Sequence, residues 1–155
     1  LKNLVVEDIQ KVDSLESLIE HISNIVGRND NEALEIRKDL FKRESLGSTV
    51  LDQYNAILLH AKSAGVDRLI FGVVRIKNPI YIENDGNEGK VDLALIMLAP
   101  KDINKNKLKV MSFLSSKIAE DENFLFALRN AEKNLIHELV EDYLNEFYER
   151  VHYEN

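Results

Sequence analysis

The run VDLALIMLA (Val91–Ala99), closed by Pro100, most narrows the folds open to this chain. It is apolar at nearly every position, so it fits neither the alternation of a half-buried strand nor the spacing of an amphipathic helix. A short, continuously apolar segment of this kind reads as a strand covered on both faces. Three further runs share its character: AILLH (Ala56–His60), LIFGVVRI (Leu69–Ile76) and IYI (Ile80–Ile82). Turn-rich segments separate them, most clearly NDGNEG (Asn84–Gly89). No apolar run approaches the roughly 20 residues that span a bilayer, so membrane insertion is not expected. No basic-then-apolar leader precedes the first expected helix.

Helical periods flank this centre. DSLESLIEHISNIV places Leu15, Leu18, Ile19, Ile22, Ile25 and Val26 at helical spacing, with Asp13 and Glu16 as a capping box and Gly27 as the stop. After GRNDN a second helix carries Ala33, Ile36, Leu40 and Phe41 on one face. Beyond Pro100, NKLKVMSFLSSKIA offers Leu108, Met111, Leu114 and Ile118, a short helix covers Asn123–Arg129, and a long one follows. Its stripe is Ile136, Val140, Leu144, Phe147 and Val151. No repeat or Pro/Gly-rich linker divides the chain, so residues 1–155 read as one domain. Two helices, a central sheet and then more helices predict an α/β three-layer sandwich.

Composition excludes whole classes of chemistry. There is no cysteine among the 155 residues, which rules out disulfides and thiolate metal sites and fits a cytoplasmic protein. Net charge is −7, whereas a nucleic-acid surface needs clustered Lys and Arg. The one lysine-rich stretch, KDINKNKLK (Lys101–Lys109), is short and reads as a solvated helix start. The chain opens on Leu1 rather than Met, in keeping with excision from a longer protein.

GxGxxG, the phosphate-loop GxxxxGK[ST], HExxH and GxSxG are all missing. ENDGNEGKVD has the acidity of a calcium loop but the wrong spacing, and a β-hairpin turn describes it better. His21 and His137 lie in amphipathic helices without a second ligand at i+4, and His152 lies near the end of the chain. His60 closes an apolar run beside Leu58 and Leu59. A packed core histidine is the commoner meaning of such a pattern. Partial desolvation, however, favours the neutral imidazole, which is the nucleophilic form. A phosphoryl group moving to such a nitrogen would need positive charge and donors around it. KRESLGST (Lys42–Thr49) carries an arginine, a second basic residue and hydroxyls, and can lie over His60.

RESLGSTVLDQYNAILLHA resembles the active-site region of the mannitol/fructose-type enzyme IIA domains of the bacterial phosphotransferase system. In those domains an Arg-Glu pair closes a helix, a Ser/Thr loop follows, and an apolar strand ends in the phosphorylated histidine and a small residue. Arg43 and Glu44 match the pair, Ser48 and Thr49 the loop, and His60 with Ala61 the acceptor motif. The similarity continues through GVDRLIFGVVRIKNPI and VDLALIMLAP. Two positions depart from transport-type members. Leu59 stands where they have proline before the acceptor, and Lys107 precedes Leu108 where they often carry a second histidine. The LLHA form, with FGVVRIKNPI and LALIMLAP behind it, is more similar to the enzyme IIA-like domains that end mannitol-operon-type transcription activators and antiterminators.

The resemblance implies a central mixed sheet of about five strands flanked by helices on both faces. It implies phosphorylation of His60 by the histidine-containing phosphocarrier protein, with Arg43 offsetting phosphate charge and Thr49 and Ser48 donating hydrogen bonds. Leu58 and Leu59 would keep water from the labile bond. Other domains of the same regulator, or an enzyme IIB component, become the expected partners, and no metal or organic cofactor is implied. A transport-chain phosphocarrier and an interaction module without chemistry are the rival expectations.

Overall fold

A computed structural model describes residues 4–84 and 86–154, with side chains described to residue 150. The chain divides into two compact units, Val5–Lys101 and Asp102–Asn155, the latter with Leu1–Leu4. The architecture is an open α/β sandwich on a mixed five-stranded sheet, the sheet of about five strands that the resemblance implies.

In chain order the larger unit holds β1 (Leu4–Ile9, beginning one residue before the unit), α1 (Leu15–Val26), α2 (Asp30–Ser45) and β2 (Val50–Leu51). Then come β3 (Ala56–Ser63), β4 (Ile70–Asn84) and β5 (Asn87–Pro100). The sheet order is β1-β4-β5-β3-β2, with β3 parallel to β5 and the β4–β5 and β2–β3 pairs antiparallel. The expected order therefore needs correcting, because a strand precedes the first helix. Burial alternates along β1, with Leu4 and Val6 inside. Arg75 on β4 holds Asp8 through an Nη2–Oδ2 bond of 3.0 Å. The runs Leu69–Ile76, whose strand begins at Ile70, and Ile80–Ile82 belong to one strand, broken in register between Arg75 and Ile80. Pro79 lies in that interval, where it has no amide proton to give a ladder. NDGNEG forms the β4–β5 hairpin, with Asn84 paired to Asn87 and Gly86 at φ +83°. Asp85 lies outside the described residues.

Helix α1 starts one residue later than the expected capping box. Ser14, not Asp13, is the N-cap, and its Oγ accepts the Ser17 N–H at 3.0 Å. Gly27 ends the helix as expected, and spatial crowding explains it. A Cβ there would stand 2.6 Å from the Ala33 nitrogen, so glycine permits the tight passage into α2. Leu18, Ile19, Ile22, Ile36 and Leu40 join Ile57, Leu59, Ala94, Ile96 and Leu98 in one core cluster, which seats α1 and α2 on one sheet face. The residues of opposite alternation on β5, Leu93, Leu95 and Met97, are buried too. That double burial is why the strand reads as a continuous apolar run.

The smaller unit holds α3 (Lys105–Glu120), α4 (Glu122–Asn130) and α5 (Lys133–Glu154). Of the expected stripes, Met111, Leu114, Ile118, Ile136, Val140 and Leu144 are buried, Leu108 and Phe147 are half-buried, and the side chain of Val151 lies outside the described residues. Asp121 caps α4 by accepting the N–H groups of Asn123 and Phe124 at 3.0 and 3.2 Å, and it also accepts the Tyr143 hydroxyl. Burial and that bond push the Tyr143 phenol up to about 12, while the bond from Tyr143 holds the Asp121 carboxyl below its usual range. Among the described residues no helix is long and apolar enough to cross a membrane.

Candidate functional site

Alternation along β3 separates the side chains around His60. Ile57 and Leu59 point into the core beneath α1 and α2, with Leu59 wholly buried. Leu58 and His60 take the opposite phase and are half-buried. Leu59 therefore does not screen His60 from water as expected; of the two leucines only Leu58 shares its phase.

Helix α2 reaches the histidine because Gly65 gives it room. A Cβ on Gly65 would stand 2.5 Å from the Glu32 carbonyl oxygen, so the start of α2 lies against the turn after β3. The last turn of the helix then arrives beside His60. There Arg43 Nε donates to His60 Nε2 at 3.3 Å, and Arg43 Nη1 donates to the Gly47 carbonyl at 3.1 Å. Two residues separated by 17 positions in the chain thus meet.

The two ring nitrogens have different neighbours. His60 Nδ1 lies 3.0 Å from the Leu58 carbonyl oxygen, which can only accept. Nδ1 must therefore carry the proton, and the Nε2 lone pair is what Arg43 meets. The two contacts agree on one tautomer: a neutral imidazole that presents Nε2 as its nucleophilic atom beside a fixed positive charge.

Beyond Ser45 the chain turns through Leu46 and Gly47, whose φ of +152° is open mainly to glycine. Ser48 is exposed, and its Oγ accepts the Val50 N–H at 3.2 Å. Thr49 is buried, and its hydroxyl donates to Oε1 of Glu44. Its N–H reaches Oε2 of the same carboxylate at 3.4 Å. The geometry thus brings Arg43 onto His60 and commits the Thr49 hydroxyl to Glu44. The acceptor roles of Glu44 and of the Leu58 carbonyl carry no motif of their own. The Glu44–Thr49 spacing across a helix end is the one trace of them in the sequence. Lys107 lies exposed in the first turn of α3. Among the described residues no group of three or more His, Asp or Glu side chains is placed to hold a metal ion.

A family model, the EIIA 2 component of the phosphoenolpyruvate-dependent sugar phosphotransferase system, matches residues 1–143. No curated protein matches by sequence. Solved structures share the fold. The nitrogen regulatory protein IIA-Ntr from Neisseria meningitidis superposes at a TM-score of 0.71 and 23% identity, covering 92% of this chain and 97% of that one. The mannitol IIA of Escherichia coli gives a TM-score of 0.54 at 18% identity, over 90% and 96% of the two chains. The same enzyme solved in complex with phosphorylated mannitol IIB gives 0.53 at 16%, over 91% and 95%.

Proposed function

The chain belongs to the EIIA 2 family of the phosphoenolpyruvate-dependent sugar phosphotransferase system and is an EIIA-type phosphoryl-accepting domain, and we propose from that premise that Nε2 of His60 is the atom that accepts the phosphoryl group. The single observation that carries this reading is the pair of contacts on the ring: Nδ1 on the Leu58 carbonyl and Nε2 beside Arg43. A histidine prepared as an acceptor needs one nitrogen held and the other presented to a positive charge.

The donor is a phosphohistidine of the histidine-containing phosphocarrier protein, protonated on its far ring nitrogen. The Nε2 lone pair attacks phosphorus in line. As the new N–P bond forms, the donor's N–P bond breaks and its ring leaves as neutral imidazole. The His60 ring keeps its Nδ1 proton and gains positive character, which the Leu58 carbonyl faces. The Arg43 guanidinium, displaced from Nε2, meets the equatorial phosphoryl oxygens. Ser48 Oγ accepts from Val50 and retains a hydroxyl proton to donate. Thr49 adds a donor only by exchanging Glu44 for a phosphoryl oxygen.

Phosphorylation adds about −1.5 to −2 charges at one surface position. We read residues 1–155 as one domain of a cytoplasmic sugar-operon regulator, in which that charge resets contacts with neighbouring domains. Leu59 and Lys107, where transport-type members carry proline and often a second histidine, support the regulatory reading. Transfer of label from the phosphorylated donor tests the chemistry: His60→Ala takes up none, and undiminished label on the variant sinks the assignment. Restored sugar uptake in a strain lacking the matching transport enzyme IIA would replace the regulatory reading with a transport one.

A further inference from the structure

We propose that Glu44 is a positioning residue for the phosphoryl transfer, acting on His60 through Thr49 and Leu58. The inference rests on His60 as the acceptor and adds the origin of its ring orientation. Glu44 lies in the last turn of α2, where the helix dipole favours cations such as its neighbours Lys42 and Arg43. A carboxylate there is electrostatically misplaced unless something compensates it. The compensation is Thr49, which gives one donor to each carboxylate oxygen.

From Thr49 the connection runs to the histidine without a gap. The Thr49 carbonyl accepts the Leu58 N–H at 3.0 Å, extending the β2–β3 ladder by one rung. The Leu58 carbonyl then accepts from His60 Nδ1 at 3.0 Å. Successive bonds fall on different peptide units, so the chain transmits position rather than polarisation. Glu44 fixes residue 49, residue 49 fixes the β3 backbone at residue 58, and residue 58 fixes the ring. With Glu44 holding one side of the ring and Arg43 the other, adjacent residues of one helix turn set both nitrogens.

The test uses protein labelled with ¹⁵N-histidine together with the phosphorylated histidine-containing phosphocarrier protein. Glu44→Met removes both acceptor oxygens at similar side-chain length, leaving the Thr49 N–H and hydroxyl without their partner. Thr49→Val removes the hydroxyl at constant shape, and Thr49→Ser restores it. In the wild type, His60 shows the Nδ1–H tautomer with Nε2 unprotonated. In Glu44→Met and Thr49→Val that signature gives way to a mixture of tautomers, and the transfer rate falls about tenfold as the ring loses its orientation. Thr49→Ser keeps the signature and transfers within about twofold of the wild type. Variants that keep both signature and rate overturn the proposal. So do variants that merely melt earlier while the tautomer stays fixed, since Glu44 is then only a structural anchor. A wild type that accepts no phosphoryl group overturns the acceptor reading, and the ring signature alone then decides the role of Glu44.

Discussion

Replacing Arg43 separates its charge from its geometry. In the resting protein its guanidinium spans two acceptors, His60 Nε2 at 3.3 Å and the Gly47 carbonyl at 3.1 Å. On the proposed reading the same group faces the phosphoryl group during transfer. A unit charge about 4 Å away, at an effective dielectric of about 20, is worth about 4 kcal/mol. Arg43 is half-buried and reached by solvent and salt, so about 2 kcal/mol is a sounder figure. That corresponds to a loss of about 30-fold in transfer rate for Arg43→Gln. Arg43→Lys keeps the charge but not the fork, and one lost hydrogen bond of about 1 kcal/mol predicts about a fivefold loss. Rapid-quench measurement of label moving from the phosphorylated donor gives both rates, and urea unfolding checks that each variant remains folded. A Gln variant within about twofold of the wild type would refute the role given to the guanidinium.

Two further predictions concern the frame around the chemistry. Gly47→Ala introduces a side chain at φ +152°, where the surrounding space is open but the backbone is not. It should cost about 1–3 kcal/mol, lower Tm by about 2–4 °C for each kcal/mol, and slow transfer by shifting the carbonyl that holds Arg43; an unchanged Tm would contradict this. In the smaller unit, the Tyr143 phenol is raised from 10.0 to about 12, so its contribution to stability is complete below pH 10 and is lost as pH rises toward 12. Asp121 has the opposite sign: its lowered carboxyl contributes fully above its ordinary value of 3.8, and that contribution is lost as pH falls below it. Phenolate absorbance of the wild type against Tyr143→Phe reads the first directly, and a component titrating at 10 would contradict it.

How much of this the residues announce depends on where the constraint lies. Strand β5 is legible because Leu93 to Ala99 are buried on both faces, leaving no polar position to obscure the run. Helices α1, α3 and α5 are legible because each shows one wet and one buried face. Strand β2 is not, since two residues carry no period, and β1 offers only the alternation of Leu4 and Val6. The cap of α1 lies one residue beyond the expected one because Asp13 and Ser14 both have the chemistry of a cap, and only backbone geometry chooses Ser14. At the site, periodicity does not distinguish His60 from any packed histidine, and the resemblance through RESLGST and LLHA is what implies Arg43 as its companion. The contact itself depends on α2 lying along β3, which Gly65 permits and no motif announces. Thr49 shows the limit most clearly. As a hydroxyl in a loop it reads as a phosphate donor, yet in three dimensions it is engaged by a carboxylate five positions earlier.

The most direct test of the central claim is long-range ¹H–¹⁵N and ³¹P spectroscopy of ¹⁵N-histidine-labelled protein incubated with the phosphorylated phosphocarrier. The expected result is a single phosphohistidine, at His60, with phosphorus coupled to Nε2 and the proton retained on Nδ1. Phosphorus on Nδ1, on another histidine, or on no residue of the chain would contradict it.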